Sequence, residues 1–93
     1  MNQKRLLVLN PNDNVAVALT PLAAGETIDI EGSPLRTRIV VCEPIAVGHK
    51  IALRDLALGA TVVKYGQPIG VLTQSVGAGE HVHIHNVAST RAG

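Results

Sequence analysis

Four stretches of this 93-residue chain repeat one short pattern, apolar-x-x-Gly-x-x-apolar. They run from Leu22 to Ile28 around Gly25, Ile45 to Ile51 around Gly48, Leu56 to Val62 around Gly59, and Val76 to Val82 around Gly79. In each, the glycine can take the positive φ that a tight turn demands, while the flanking apolar residues pin the turn to a core from both sides. Each unit therefore predicts a turn that feeds a strand. The glycines are irregularly spaced, which argues against a solenoid array and for a compact fold that uses one turn device four times.

The remainder of the chain agrees. Leu6 to Leu9 is a short apolar run that stops at the turn formers Asn10 to Asn14, and Val15 to Leu19 stops at Thr20-Pro21, because proline cannot donate to a sheet ladder. Further strands are expected at Thr27–Ile30, Arg36–Cys42, Lys50–Leu53, Thr61–Lys64 and Ile69–Thr73. Only Ala52 to Leu58 could hold a helical turn. Phe and Trp are absent and Tyr65 is the lone aromatic, so a core must come from Val, Ile, Leu and Ala. These features predict a single all-β domain over residues 1–93, with at least six short strands joined by Gly turns.

Composition narrows the function classes. Eight basic residues against seven acidic leave a formal charge of +1, without the basic stripe or stacking aromatics of a nucleic-acid surface. No apolar segment approaches the ~20 residues of a membrane span, and no apolar signal-peptide region opens the chain. One cysteine, Cys42, does not suggest a disulfide framework. The expected location is the cytoplasm. Cys42 follows β-branched residues and reads as core.

Near the C-terminal end, Glu80-His81-Val82-His83-Ile84-His85-Asn86 places histidines at every second position. On a strand, the three imidazoles share a wet face and Val82 and Ile84 a dry one, whereas a helix turns His83 away. A strand is the expectation. Alternate imidazoles lie roughly 6.6 Å apart along it, close enough to converge on one small ligand or metal; a solvated strand edge is the competing reading.

Three further segments, taken with this one, carry a resemblance. Asp13-Asn14-Val15-Ala16-Val17-Ala18, Gly48-His49-Lys50-Ile51-Ala52-Leu53-Arg54-Asp55 with Lys64-Tyr65-Gly66-Gln67-Pro68-Ile69-Gly70, and Gly79 to Asn86 resemble the SAF domain, a small β-clip module, of the altronate/galactarate dehydratase family. In that family the module is an N-terminal domain or a separate small subunit. The large part needed for dehydration is not in this sequence.

The resemblance implies a hydro-lyase acting on a hexonic or hexaric acid. It also implies a divalent metal, with iron as the expected ion, held mainly by the large subunit or domain. The small subunit of a sulfolactate sulfo-lyase is the alternative within the family, and a non-catalytic binding or assembly module the alternative outside it. The implied partners are the large dehydratase part and a sugar acid, with self-association left open.

Candidate residues follow from side-chain chemistry. His81, His83 and His85 are the candidate acid–base residues, because imidazole exchanges protons near neutral pH. His49, Lys50, Lys64, Tyr65, Gln67 and Asn86 are candidate substrate contacts: cations for carboxylates, amide and phenol for hydroxyls. Their plainer readings are surface charge at Lys50 and Arg54, and an ordinary Gly-Pro turn at Lys64 to Pro68. His83 and His85 could contribute to a metal, but no complete ligand set is expected from this chain alone. Asp13-Asn14 reads as a turn cap.

Overall fold

The computed structural model describes residues 4–34 and 38–89. Among these residues there are nine strands and no helix, which bears out the all-β expectation. They are β1 (Leu6–Leu7), β2 (Val15–Ala18), β3 (Thr27–Asp29), β4 (Arg38–Val40), β5 (Lys50–Ala52), β6 (Thr61–Lys64), β7 (Gln67–Leu72), β8 (His81–Val82) and β9 (Val87–Ser89). All pairings are antiparallel, in a four-stranded sheet β1-β2-β5-β8, a pair β3-β4 and a three-stranded sheet β6-β7-β9. The helical turn considered at Ala52–Leu58 is absent, and β9 was not anticipated. The first residues of the strand expected at Arg36–Cys42 lie outside the described residues.

The four repeats form the frame. In each, the fourth residue is a glycine at φ between 85° and 90°, and an N–H closes back three residues: Glu26 to Ala23, His49 to Ala46, Ala60 to Ala57, Glu80 to Gly77. A positive φ at the third turn position is the type II geometry. Each glycine N–H in turn donates to a carbonyl of another segment: Val41, Ala18, Leu72 and Ala52 respectively, at 2.7–2.8 Å. The units then pair two by two, since Leu22 bridges Ile45 and Leu56 bridges Val76.

That pairing divides the core. Leu22, Ile28, Ile45 and Ile51 join one apolar cluster, and Leu56, Val62, Val76 and Val82 join a second. Strand alternation on β2 and β5 feeds both: Ala16, Ala18, Ile51 and Leu53 face the first cluster, Val15 and Ala52 the second. The central sheet is thus a shared wall between two small aliphatic cores.

Two buried polar residues tie the halves together. Asp13 is 1% exposed; its carboxylate accepts the N–H groups of Leu9, Asn10 and Gly66 at 3.2, 3.2 and 2.7 Å. Asn14 donates from Nδ2 to the Thr61 carbonyl and accepts from the Val63 N–H, both at 2.8 Å. The turn-cap role expected of this pair is therefore exceeded, because both residues stitch the start of β2 to the β6–β7 region. On the outside, Arg5 forks onto Glu26 at 2.9 and 3.1 Å and also reaches Thr20 and Pro21.

The Arg5–Glu26 fork predicts a pH dependence. The hydrogen bonds from Arg5, then the one from Ala23 N–H, hold the Glu26 carboxyl below its ordinary value. A depressed folded-state carboxyl stabilises above its unfolded pKa and loses that contribution as pH falls through its folded one. An Arg5→Gln variant should therefore show a shallower acid limb of Tm against pH than the parent. Superimposable limbs would remove the fork from the acid response.

A candidate histidine site

All four histidines of the chain meet at one place. β5 and β8 pair with Lys50 opposite Val82 and Ile51 opposite His81; extending that register sets His49, at the end of the second turn unit, across from His83. Their rings stack with centroids 3.6 Å apart and planes 12° off parallel. His49 also reaches His81 diagonally, Nδ1 to Nε2 at 2.8 Å. His85 completes the group, with its ring 4.8 Å from that of His81. His49, His81 and His83 are half-buried and His85 is exposed.

The expected histidine strand is shorter than the alternation suggests. Only His81 and Val82 are extended, and residues 83–86 form a turn. Asn86 is the cause: its Oδ1 accepts the His83 N–H at 2.9 Å, its Nδ2 donates to the His81 carbonyl at 2.8 Å, and its own N–H donates to the His83 carbonyl. Side-chain hydrogen bonds from Asn86 to the backbone outcompete the ladder here. The dry face is corrected accordingly: Val82 is fully buried, whereas Ile84 is 85% exposed at the turn tip.

Other groups frame the imidazoles. Glu43 accepts the His81 N–H at 3.1 Å. An open cleft of about 230 Å³ beside His81 and His85 is lined also by Glu43, Glu80, Gln74 and Asn86. Burial, then the neighbouring His85 and His49, holds His81 below the ordinary imidazole pKa, with Glu43 pulling the other way. Burial, then His49, Lys50 and His85, does the same to His83. Both rings favour the neutral, lone-pair-bearing form. One ring nitrogen, His83 Nδ1, is buried with no hydrogen-bond partner.

The remaining candidates divide into two groups. Lys50 leaves β5 on the face opposite His49, and burial, then the Lys64 charge, lower its pKa. Lys64 Nζ stands 5.2 Å from the Tyr65 ring centroid. Tyr65, at φ 55°, and Gly66, at φ 75°, form the tight turn of the β6–β7 hairpin, with Gln67 exposed beside it. Asn86 is buried, its amide committed to the turn. Cys42 is corrected from core to surface: Val41 takes the inward position, and alternation turns Cys42 outward.

The resemblance implies a divalent metal, and the side chains present suit one. Ligand nitrogens of His49, His81 and His83 lie within 4.8 Å of one another. Neutral imidazole is a common ligand of zinc and of other borderline divalent ions. His49 was not among the metal candidates read from the sequence, because its proximity depends on the β5–β8 register. The available signal was its place directly after the glycine of a turn unit.

Comparison with known proteins places these features. The chain is 47% identical over 74 residues to altronate dehydratase of Escherichia coli, a match covering 80% of this chain and 14% of that protein. It is 39% identical over 83 residues to altronate dehydratase of Bacillus subtilis, covering 89% and 16% respectively. The alpha subunit of (2R)-sulfolactate sulfo-lyase from Chromohalobacter salexigens is 53% identical over 51 residues, covering 55% of this chain and 54% of that one. The chain thus spans about one-sixth or less of the altronate dehydratases it matches. The family model of the altronate/galactarate dehydratase SAF domain matches residues 4–90, and the chain belongs to that family.

Proposed function

We propose that this chain is the small subunit or N-terminal domain of a sugar-acid hydro-lyase, forming part of a substrate pocket that a larger dehydratase subunit or domain completes. The convergence of all four histidines, two of which, His81 and His85, line a cleft of about 230 Å³, carries this reading. Elimination from a hydroxy acid requires removal of the proton alpha to the carboxylate, stabilisation of the enolate, and a proton for the departing β-hydroxyl. In this reading His85, exposed at the cleft, exchanges that proton. His81, which favours the neutral form, presents a lone pair to the cleft in this reading, and His83 belongs to the same cluster without lining it. Lys50, on the other face of β5, and Lys64, Tyr65 and Gln67 at the β6–β7 turn do not line this cleft, so in this reading the contacts to the carboxylate and hydroxyls there fall to the larger part. Asn86 fixes the turn that carries His83 and His85. A divalent metal, iron being the expected ion, supplies Lewis acidity to substrate oxygens when bound.

A second reading has its own support: the sulfo-lyase relatives are named as separate subunits, and the match covers 54% and 81% of them. In that case sulfite rather than water leaves. Reconstitution tests both. The chain co-purified with its large partner should eliminate from altronate or galactarate, or from sulfolactate under the second reading, whereas the isolated chain should turn over none of them. His85→Ala should lower turnover by about 10²-fold or more with an unchanged melt. Full turnover by the isolated chain, or full activity of the His81, His83 and His85 variants alike, would sink the proposal.

A further inference from the structure

We propose that His49, His81 and His83 form a three-imidazole site for a borderline divalent transition metal, carried by this chain itself and not by the larger partner alone. The expectation from sequence was that no complete ligand set lies here. Folding changes the count, because the β5–β8 register brings His49 onto the face of the triplet and the Asn86 turn takes His85 away from it.

Three observations support the assignment. The candidate ligand nitrogens already lie within 4.8 Å of one another. Two imidazoles on one tetrahedral ion at about 2.05 Å are roughly 3.3 Å apart, so the nitrogens must close by about 1–2 Å and the rings must turn out of their near-parallel stack, with planes 11–12° apart, to aim their lone pairs at one ion. His83 Nδ1 is buried without a partner, an arrangement that costs free energy as either donor or acceptor and that a metal ion relieves. The backbone under the ligands is also held firmly: Val82 between His81 and His83 is fully buried, Glu43 takes the His81 N–H, and Asn86 clamps the His81 carbonyl to the His83 N–H.

The donor set selects the ion. Three imidazoles with no carboxylate among them favour Zn²⁺, Fe²⁺, Co²⁺ and their neighbours over Mg²⁺ or Ca²⁺, which prefer oxygen. Three protein ligands leave at least one position open, the layout of a catalytic site and not of a closed structural one. His85 stays outside the set, free to act as the proton-exchanging group. This inference deepens the lyase reading by naming where the ion sits, yet it rests on the geometry alone and its test needs no turnover.

The experiment uses the tag-free 93-residue chain at neutral pH. Calorimetric titration with Zn²⁺, and visible absorption with Co²⁺, should show one ion per chain and little response to Mg²⁺. His49→Ala, His81→Ala and His83→Ala should each weaken Zn²⁺ binding by about 100-fold or more, beyond the 10- to 100-fold loss typical of an outer partner. His85→Ala should leave affinity unchanged. Melts of the metal-free variants check folding. Ring-nitrogen resonances of the unaltered protein give an answer without substitution: Zn²⁺ should shift three of the four histidines and leave His85. Absence of saturable Zn²⁺ and Co²⁺ binding, or unchanged affinity in all three alanine variants, overturns the site. Binding with no elimination by the reconstituted pair would leave the metal site standing and remove the lyase reading.

Discussion

Gly79→Ala should cost this domain about 4 kcal/mol or more, against a total stability of about 5–14 kcal/mol for a chain of this size. Two effects add. At φ +90° an L side chain is strained by roughly 1–2 kcal/mol. In addition, a Cβ at Gly79 would sit 2.1 Å from the Val40 carbonyl oxygen and 3.1 Å from Cys42 Sγ, so backbone must move. That movement disturbs the Gly79 N–H to Ala52 and Cys42 N–H to Gly79 hydrogen bonds, at 2.8 and 2.9 Å. The same turn supplies its own controls: Gly25 and Gly59 have φ of +89° and +85° with nothing within 4 Å of the added carbon. Alanine there should cost only the ~1–2 kcal/mol of strain. Urea titrations of the three variants separate the terms; a Gly79 variant no worse than the Gly59 one would mean that the Val40 contact yields freely.

Asp13→Ala should be nearly as damaging, at about 3–5 kcal/mol. The carboxylate gathers three backbone N–H groups, and the one from Gly66 comes from the far hairpin at 2.7 Å. Alanine leaves those donors without an acceptor in a place where the side chain is 1% exposed. Asp13→Asn preserves the shape but turns one acceptor into a donor, and should cost an intermediate amount, about 1–3 kcal/mol. Denaturation midpoints check the order Ala worse than Asn worse than parent. A loss below about 1 kcal/mol for the alanine variant would mean that water replaces the carboxylate.

Local chemistry made much of this fold readable in advance. The four glycine units announced their turns, and the eight apolar residues that open and close them are all buried, because the seven-residue pattern encodes both conformation and burial. What sequence could not supply is pairing. The units associate first with second and third with fourth, and nothing in a local pattern states which partner is chosen. The histidine site shows the same boundary. The triplet was visible, but His49 joins it only through the β5–β8 register, and the strand expected to carry His85 is cut short by Asn86. A side chain that competes for backbone groups overrides strand propensity at Ile84, which ends exposed instead of buried. Asp13 and Asn14 were legible as turn formers and illegible as cross-links, since their partners at Gly66, Thr61 and Val63 lie about fifty residues away.

The central sheet joins β1-β2-β5-β8, so most of its edges link segments separated by tens of residues. Such pairings must close long loops before they return any binding energy, and domains built from them fold in milliseconds to seconds instead of microseconds. The histidine cluster straddles the last of these pairings to be synthesised. During translation the cluster therefore cannot exist until β8 has left the ribosome and found β5. Appearance of a histidine signal, by ring resonance or by metal uptake, would time the closing of the central sheet and not the onset of folding.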